Sequence, residues 1–178
     1  MPIFDQKNKA RVFWVGLSAV QFGEGEEKLP LSPLTRSGGL IAEIEKGFEQ
    51  DLSFYKTNLV KCLPLKLNKI RYPLRHEMDK CFPNFKDELE HLKPRVVFLL
   101  GKQVANYVLP SEVKNGLKLS ETFDYTAYEA GSIYYIPIHH PSYILVYKRK
   151  LMHKYIAGIQ SCLSKESSET VQSETISY

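Results

Sequence analysis

In Arg95-Val96-Val97-Phe98-Leu99-Leu100 the five residues after the arginine are an unbroken apolar run that stops at Gly101. It is too short for a helix and rich in β-branched residues, so it reads as a strand buried on both faces. Three other stretches read the same way: Val12-Phe13-Trp14-Val15 ending at Gly16, Phe54 to Val60, and Ile133 to Ile138. Between them the apolar residues fall at helical spacing. Leu40, Ile41, Ile44 and Phe48 follow Ser37-Gly38-Gly39, and Phe85, Leu89 and Leu92 precede Pro94. Val104 to Leu109 makes a shorter helix. Ile144 to Leu163 reads as one long C-terminal helix, with Leu151, Tyr155 and Ile159 four residues apart. Strands separated by helices pair in parallel. The expectation is α/β: a three-layer α/β/α sandwich around a central four-stranded parallel sheet, in one domain over residues 1–163.

The composition agrees with a single globular unit of 178 residues, 43% hydrophobic and 25% charged. No apolar run is long enough to span a bilayer, which argues against a membrane partner. Met1 to Arg11 is polar and has no signal-peptide core, so a cytoplasmic or nucleoid location and a monomer are the default expectations. Ser164 to Tyr178 is rich in Ser, Thr and Glu and reads as a disordered or loosely attached tail. The formal charge of +4 is a mild excess, but Lys148, Arg149 and Lys150 form one run, with His153 and Lys154 close behind. Such a run either holds phosphates or is a solvated helix face. The three cysteines, Cys62, Cys81 and Cys162, suggest neither a disulfide framework nor a zinc site.

In open α/β sheets, ligands bind beyond the carboxyl ends of the strands. The informative segments are therefore Gly16 to Val20, Asn58 to Pro64, Gly101 to Gln103, and His139 to Ile144. Asn58 offers an acceptor and a donor on one short side chain, which suits the edge of a pyrimidine. An Asn there also ends a strand by bonding its own backbone. His140 opens a helix with Pro141 and Ser142, where an imidazole either caps the helix or aims a donor at a ligand.

Four blocks carry a resemblance: Thr57-Asn58-Leu59-Val60-Lys61-Cys62-Leu63-Pro64, Cys81-Phe82-Pro83, Pro94 to Gly101, and His140-Pro141-Ser142. In this order and spacing, over about Val12 to Ile159, the chain resembles the uracil-DNA glycosylases of the iron–sulfur branch. That branch shows T-N-x-V-K-C-x-P, C-x-P, P-x-V-[IV]-x-L-G and H-P-S in turn. The resemblance implies a DNA repair enzyme, a hydrolase that flips a base from DNA and cleaves its N-glycosidic bond. It implies that His140 stabilises the departing base and that Asn58 reads it. The backbone of Gly16, Leu17 and Ser18 would contact the uracil O2.

This chain departs from the family in three places. The G-E-A-P-G that follows the first strand is here Gly16-Leu17-Ser18-Ala19-Val20, so the water-activating Glu is a Leu. A related branch with G-L-A-P also lacks it. Glu24, Glu26 and Glu27 follow nearby, in what is ordinarily a solvated loop. Ser32-Pro33-Leu34-Thr35-Arg36-Ser37-Gly38 resembles P-F-V-G-R-A-G one residue short. It places Leu34 on the base where the family has Phe, and Ser37 at a helix start able to hold a phosphate. Of the four cluster cysteines only Cys62 and Cys81 match, so no iron–sulfur cluster and no other cofactor or metal is expected. Beyond Ser142, the residues Tyr143, Ile144 and Leu145 are candidates for a wedge into DNA, and Lys148 and Arg149 for phosphate contacts. Two other readings stay open: a superfamily member that binds nucleic acid with weak or no catalysis, and a nucleotide- or nucleoside-binding α/β enzyme using His139 and His140.

Overall fold

The computed structural model describes residues 9–19, 29–67 and 69–173, with side chains as far as Glu166. Strand β1 (Ala10–Ser18) leads to helix α1 (Arg36–Glu45) and strand β2 (Leu52–Val60). A two-stranded ribbon follows, β3 (Leu65–Lys66) and β4 (Lys69–Ile70), then α2 (Arg75–Leu92), β5 (Val96–Leu100), α3 (Lys102–Val108) and the single turn α4 (Ser111–Lys114). The chain continues through β6 (Tyr128–Ala130), β7 (Ile133–Ile138), α5 (Pro141–Tyr147) and a 3₁₀ turn at Arg149–Leu151 into α6 (Met152–Ser173). No described helix is long and apolar enough to cross a membrane.

The main sheet runs β2-β1-β5-β7-β6. The four expected strands are present and parallel to one another. A fifth, the short β6, pairs antiparallel to β7 at the edge, so the sheet has five strands where four were expected. Each strand of the centre is apolar on both faces because helices cover both. On one face Val12, Trp14, Phe98, Leu100 and Ile138 pack with Ile41 and Ile44 of α1, Ile144 of α5, and Tyr155, Ile159 and Leu163 of α6. On the other, Phe13, Val15, Val97 and Leu99 pack with Phe85 of α2 and Val104 and Ala105 of α3. This is a three-layer α/β/α sandwich.

The C-terminal helix is not continuous from Ile144. Helix α5 ends at Lys148, whose backbone leaves the helical region (φ −129°, ψ 27°) and whose ammonium pairs with Glu121 at 3.1 Å. Here the basic run offers no apolar side chain to hold a straight helix on the core. The apolar line expected on that helix does exist, as Tyr155, Ile159 and Leu163 of α6. The helix also continues past Leu163 to Ser173, so the expected start of a loose tail at Ser164 falls inside it. Glu166 on this extension is buried and pairs with Arg95 at 2.6 Å. Residues 174–178 lie outside the described residues.

Candidate functional site

The order of strand succession reverses between β1 and β5, since β2 lies on one side of β1 while β5 and β7 lie on the other. Loops leaving β1 and β5 part at that point and open a crevice, the usual place for a ligand in this architecture. A cleft of about 990 Å³ lies there. It is lined by the ends of β1, β2 and β5, the start of α1, the start of α5 and the β3–β4 ribbon.

The floor is set by strand register. Gly16 of β1 stands directly beside Asn58 of β2. A Cβ at position 16 would sit 2.4 Å from Asn58 Oδ1, well inside contact distance. Only a glycine leaves room for the Asn58 amide to lie over β1. Asn58 is 6% exposed and lines the cleft. Its side chain makes no hydrogen bond to any described residue, so both its donor and its acceptor are available to a ligand.

The flanking residues hold Asn58 in place. Alternation along β2 turns Thr57 and Lys61 toward α2. Lys61 Nζ donates to both carboxylate oxygens of Glu88 at 2.7 Å and to Thr57 Oγ1 at 2.6 Å. Thr57 Oγ1 in turn donates to Glu88 at 3.0 Å. The Thr and Lys of the T-N-x-V-K block are therefore scaffold, and the Asn between them faces the ligand space.

His140 lies at the opposite side of the cleft as the N-cap of α5. Pro141 occupies the first helical position, where its missing N–H costs nothing and its fixed φ suits the turn. The Ser142 backbone N–H donates to His140 Nδ1 at 3.1 Å, and Ser142 Oγ stands 2.7 Å from the same nitrogen. A backbone N–H can only donate, so Nδ1 is an acceptor and the neutral ring carries its proton on Nε2. Burial pushes the His140 pKa below its ordinary value, favouring this uncharged form. Gly101 beneath it takes φ +90°, a backbone conformation that favours glycine, and its ideal Cβ position stands at ordinary contact distance, 3.5 Å, from His140 Cβ. From inside the core, the buried Tyr155 hydroxyl donates to the His139 carbonyl at 2.8 Å and fixes the strand end just before His140.

Gly16, Leu17, Ser18, Ser37, Asn58, His140, Ser142 and Tyr143 all meet at this cleft. Leu17 packs its side chain with the α2–α3 cluster. Ser37 lies in the first turn of α1, whose cap is Thr35, accepting from Gly38 N at 3.0 Å. Other expected residues are not brought in. Leu34 is 84% exposed and outside the cleft. Leu31 lines the cleft beside Gly16 instead, with its Cδ2 3.8 Å from the ideal Cβ of Gly16. Its backbone φ of +51° turns the chain so that Leu31 points inward and Leu34 outward. Ile144 is fully buried core and Leu145 half-buried, whereas Val146 and Tyr147 are the exposed apolar residues at the rim. Lys148 and Arg149 do not line the cleft. His139 is buried, stacked on Tyr143 with ring centroids 5.5 Å apart and 3.0 Å from the Tyr125 hydroxyl. It belongs to the packing, which removes the support for a paired role with His140.

Several lining residues were not singled out from sequence. Arg36, Arg71 and Lys102 bring positive charge, and no Asp or Glu lines the cleft among the described residues. Lys102 and Gln103 fall in a stretch that follows a strand, which was the available signal. Arg71 lies in a ribbon too short to read from periodicity. Glu24, Glu26 and Glu27 lie outside the described residues. The cysteines do not fit a four-thiolate cluster. Cys62 and Cys81 are free and adjacent, while Cys162 packs on the other face of the sheet. No group of three metal-ligating side chains stands together among the described residues.

A parallel-centred α/β/α sandwich with an Asn and a helix-capping His facing one cleft at the sheet's switch point has the ligand site of an open α/β fold. The model of the uracil DNA glycosylase superfamily matches residues 4–162, and the chain belongs to that superfamily. It is 26% identical over 140 residues to a type-4 uracil-DNA glycosylase of Sulfurisphaera tokodaii, a match covering 75% of this chain. The match spans about 60% of that relative's length.

Proposed function

We propose that the cleft receives a damaged base, uracil first of all, flipped out of DNA, and that the protein hydrolyses its N-glycosidic bond in base-excision repair. The observation that carries this reading is the pair facing the cleft: an Asn58 amide with no hydrogen-bond partner among the described residues and a His140 ring whose Nδ1 is already occupied. Asn58 matches the donor–acceptor edge of the pyrimidine. As the bond from C1′ to N1 breaks, its electron pair passes to the base and charge builds on O2. The Nε2–H of His140 stabilises that charge without transferring its proton. A water adds to C1′ and loses a proton to solvent, and the base, leaving as the anion, takes up a proton from solvent, which completes the hydrolysis. Gly16, Leu17 and Ser18 present backbone to the base, Leu31 covers it, and Ser37 and Ser142 bond phosphates beside it. The protein acts as a monomer on DNA in the cytoplasm or nucleoid, without a cofactor.

One observation favours a second reading, a member that holds the base and does not cleave: no carboxylate lines the cleft among the described residues. A duplex carrying a single uracil separates the two. Release of free uracil under single-turnover conditions supports the glycosylase. Tight binding of the uracil duplex over its thymine counterpart, with no base released from uracil, hypoxanthine, xanthine or alkylated substrates, leaves the binding-only reading.

A further inference from the structure

Five of the nine exposed large apolar side chains among the described residues fall between Leu65 and Leu74. Leu67 at the tip of the ribbon is 89% exposed and Tyr72 at its foot is 72% exposed. The same segment carries Lys66, Lys69 and Arg71, Arg75 follows it directly, and no Asp or Glu occurs from Cys62 to His76. Ile70, Arg71 and Tyr72 form one wall of the cleft mouth, with Arg36 and Lys102 also lining it.

The ribbon is held at its base. Arg71 N donates to Pro64 O at 3.1 Å. The Arg71 guanidinium makes a two-point bond to Glu77 at 2.6 and 2.7 Å, and Glu77 also accepts from Leu74 N at 2.7 Å. These bonds, the Arg71 pair first, hold the Glu77 carboxyl down at about 2. The ribbon is thus a fixed prong with a wet, apolar surface, which folding alone does not call for.

Its chemistry selects one partner. A protein-binding face is depleted in lysine at its centre. Exposed rings and aliphatics interleaved with cations, with no acid among them, are what a single nucleic-acid strand needs: faces for bases and charges for phosphates. We propose that the β3–β4 ribbon is a second DNA-contacting element that binds unpaired bases of the strand leading into the cleft. Tyr72 stacks on a base, Ile70 supports it, and Lys66 and Lys69 pair with phosphates. This rests on the reading of the cleft as a base pocket.

The test measures binding of the full-length protein to a labelled oligothymidine without uracil and to the matching duplex, across a salt series. Tyr72→Ala should weaken single-strand binding by about tenfold, with Tyr72→Phe restoring it, and should weaken duplex binding less. Lys66→Gln with Lys69→Gln should lower the salt slope by roughly 0.7 per lost contact on single strands. Unchanged thermal melts would show that these exposed substitutions leave the fold intact. Single-strand affinity of Tyr72→Ala equal to wild type overturns the inference, as does a shift of the variant from dimer to monomer with DNA binding untouched, which would make the ribbon a self-association face. If the ribbon variants lose DNA affinity while wild type releases no base, the ribbon assignment stands and the glycosylase reading falls. If wild type binds neither DNA, both fall.

Discussion

The floor of the cleft and its rim are built by different means. On the floor, Gly16 and Asn58 are placed by parallel register between two strands that are covered on both faces. On the rim, Leu31, the β3–β4 ribbon and the end of α5 are placed by turns and ion pairs at the surface. A register contact cannot shift without moving a whole strand, whereas a rim residue can be exchanged locally. On the proposed reading the floor therefore governs what chemistry the site performs, and the rim governs how strands of DNA reach it.

The contrast is broken most severely at His140. His140→Ala should lower single-turnover base release by on the order of 10²–10³ with a far smaller effect on DNA affinity, because the donor acts on charge that appears as the bond breaks. Because burial depresses the folded pKa of His140, the ring stays neutral as pH falls past the ordinary imidazole value of about 6.5. Base release should stay level through that pH and decline only below it. The stability contribution has the same sign: it is present above the unfolded value and lost as pH falls through the folded one. A rate that halves near pH 6.5 in wild type would show that the ring titrates at its ordinary value and that burial does not hold it neutral.

Gly16→Ala is the next largest test. The new methyl must displace the Asn58 amide, since it would stand 2.4 Å from Oδ1. Release of uracil should fall by roughly 10²-fold, the scale of a misplacement of about 1 Å at a reacting site. Melting should show a modest loss of stability, about 1–3 kcal/mol for overpacking. Asn58→Asp, which keeps an acceptor and loses a donor, should instead move preference from uracil toward cytosine. If Gly16→Ala matches wild type in rate and selectivity, the Asn58 amide does not read the base.

The smallest effect sharpens the boundary between floor and rim. Leu31→Ala removes the apolar cover and should weaken binding of the uracil duplex by about five- to tenfold, the scale of one buried aliphatic side chain. Leu34→Ala, at an 84% exposed position, should leave binding and release within about twofold of wild type. The opposite ranking, measured by titration of both variants, would restore Leu34 to the base.

The floor was legible in the sequence for a physical reason. Long apolar runs such as Val96 to Leu100 can only be strands buried on both faces, and their carboxyl ends then fix where Gly16, Asn58, Gly101 and His140 meet. The rim was not. Strands of two residues, Leu65–Lys66 and Lys69–Ile70, have no period to read. Spacing pointed to Leu34, but a positive φ at Leu31 re-aims the loop, and nothing in a leucine announces that conformation. The break at Lys148 was hidden because Ile144, Leu151, Tyr155 and Ile159 keep helical spacing across it. The three-residue β6, Tyr128-Glu129-Ala130, is too short for its alternation to stand out and pairs with the edge that β7 offers.

The clamp of Lys61 and Thr57 on Glu88 has a consequence for timing. It anchors the end of β2 to α2 from the side away from the cleft. The adjoining Asn58 is thus oriented when the chain folds, before any base arrives. Little entropy remains to be lost at that residue on binding, so the slow event on encounter should lie in the nucleic acid, in the unstacking of a base. A lesion that already weakens its own stacking or pairing would then be captured sooner than a well-paired one, even if both fit the pocket equally.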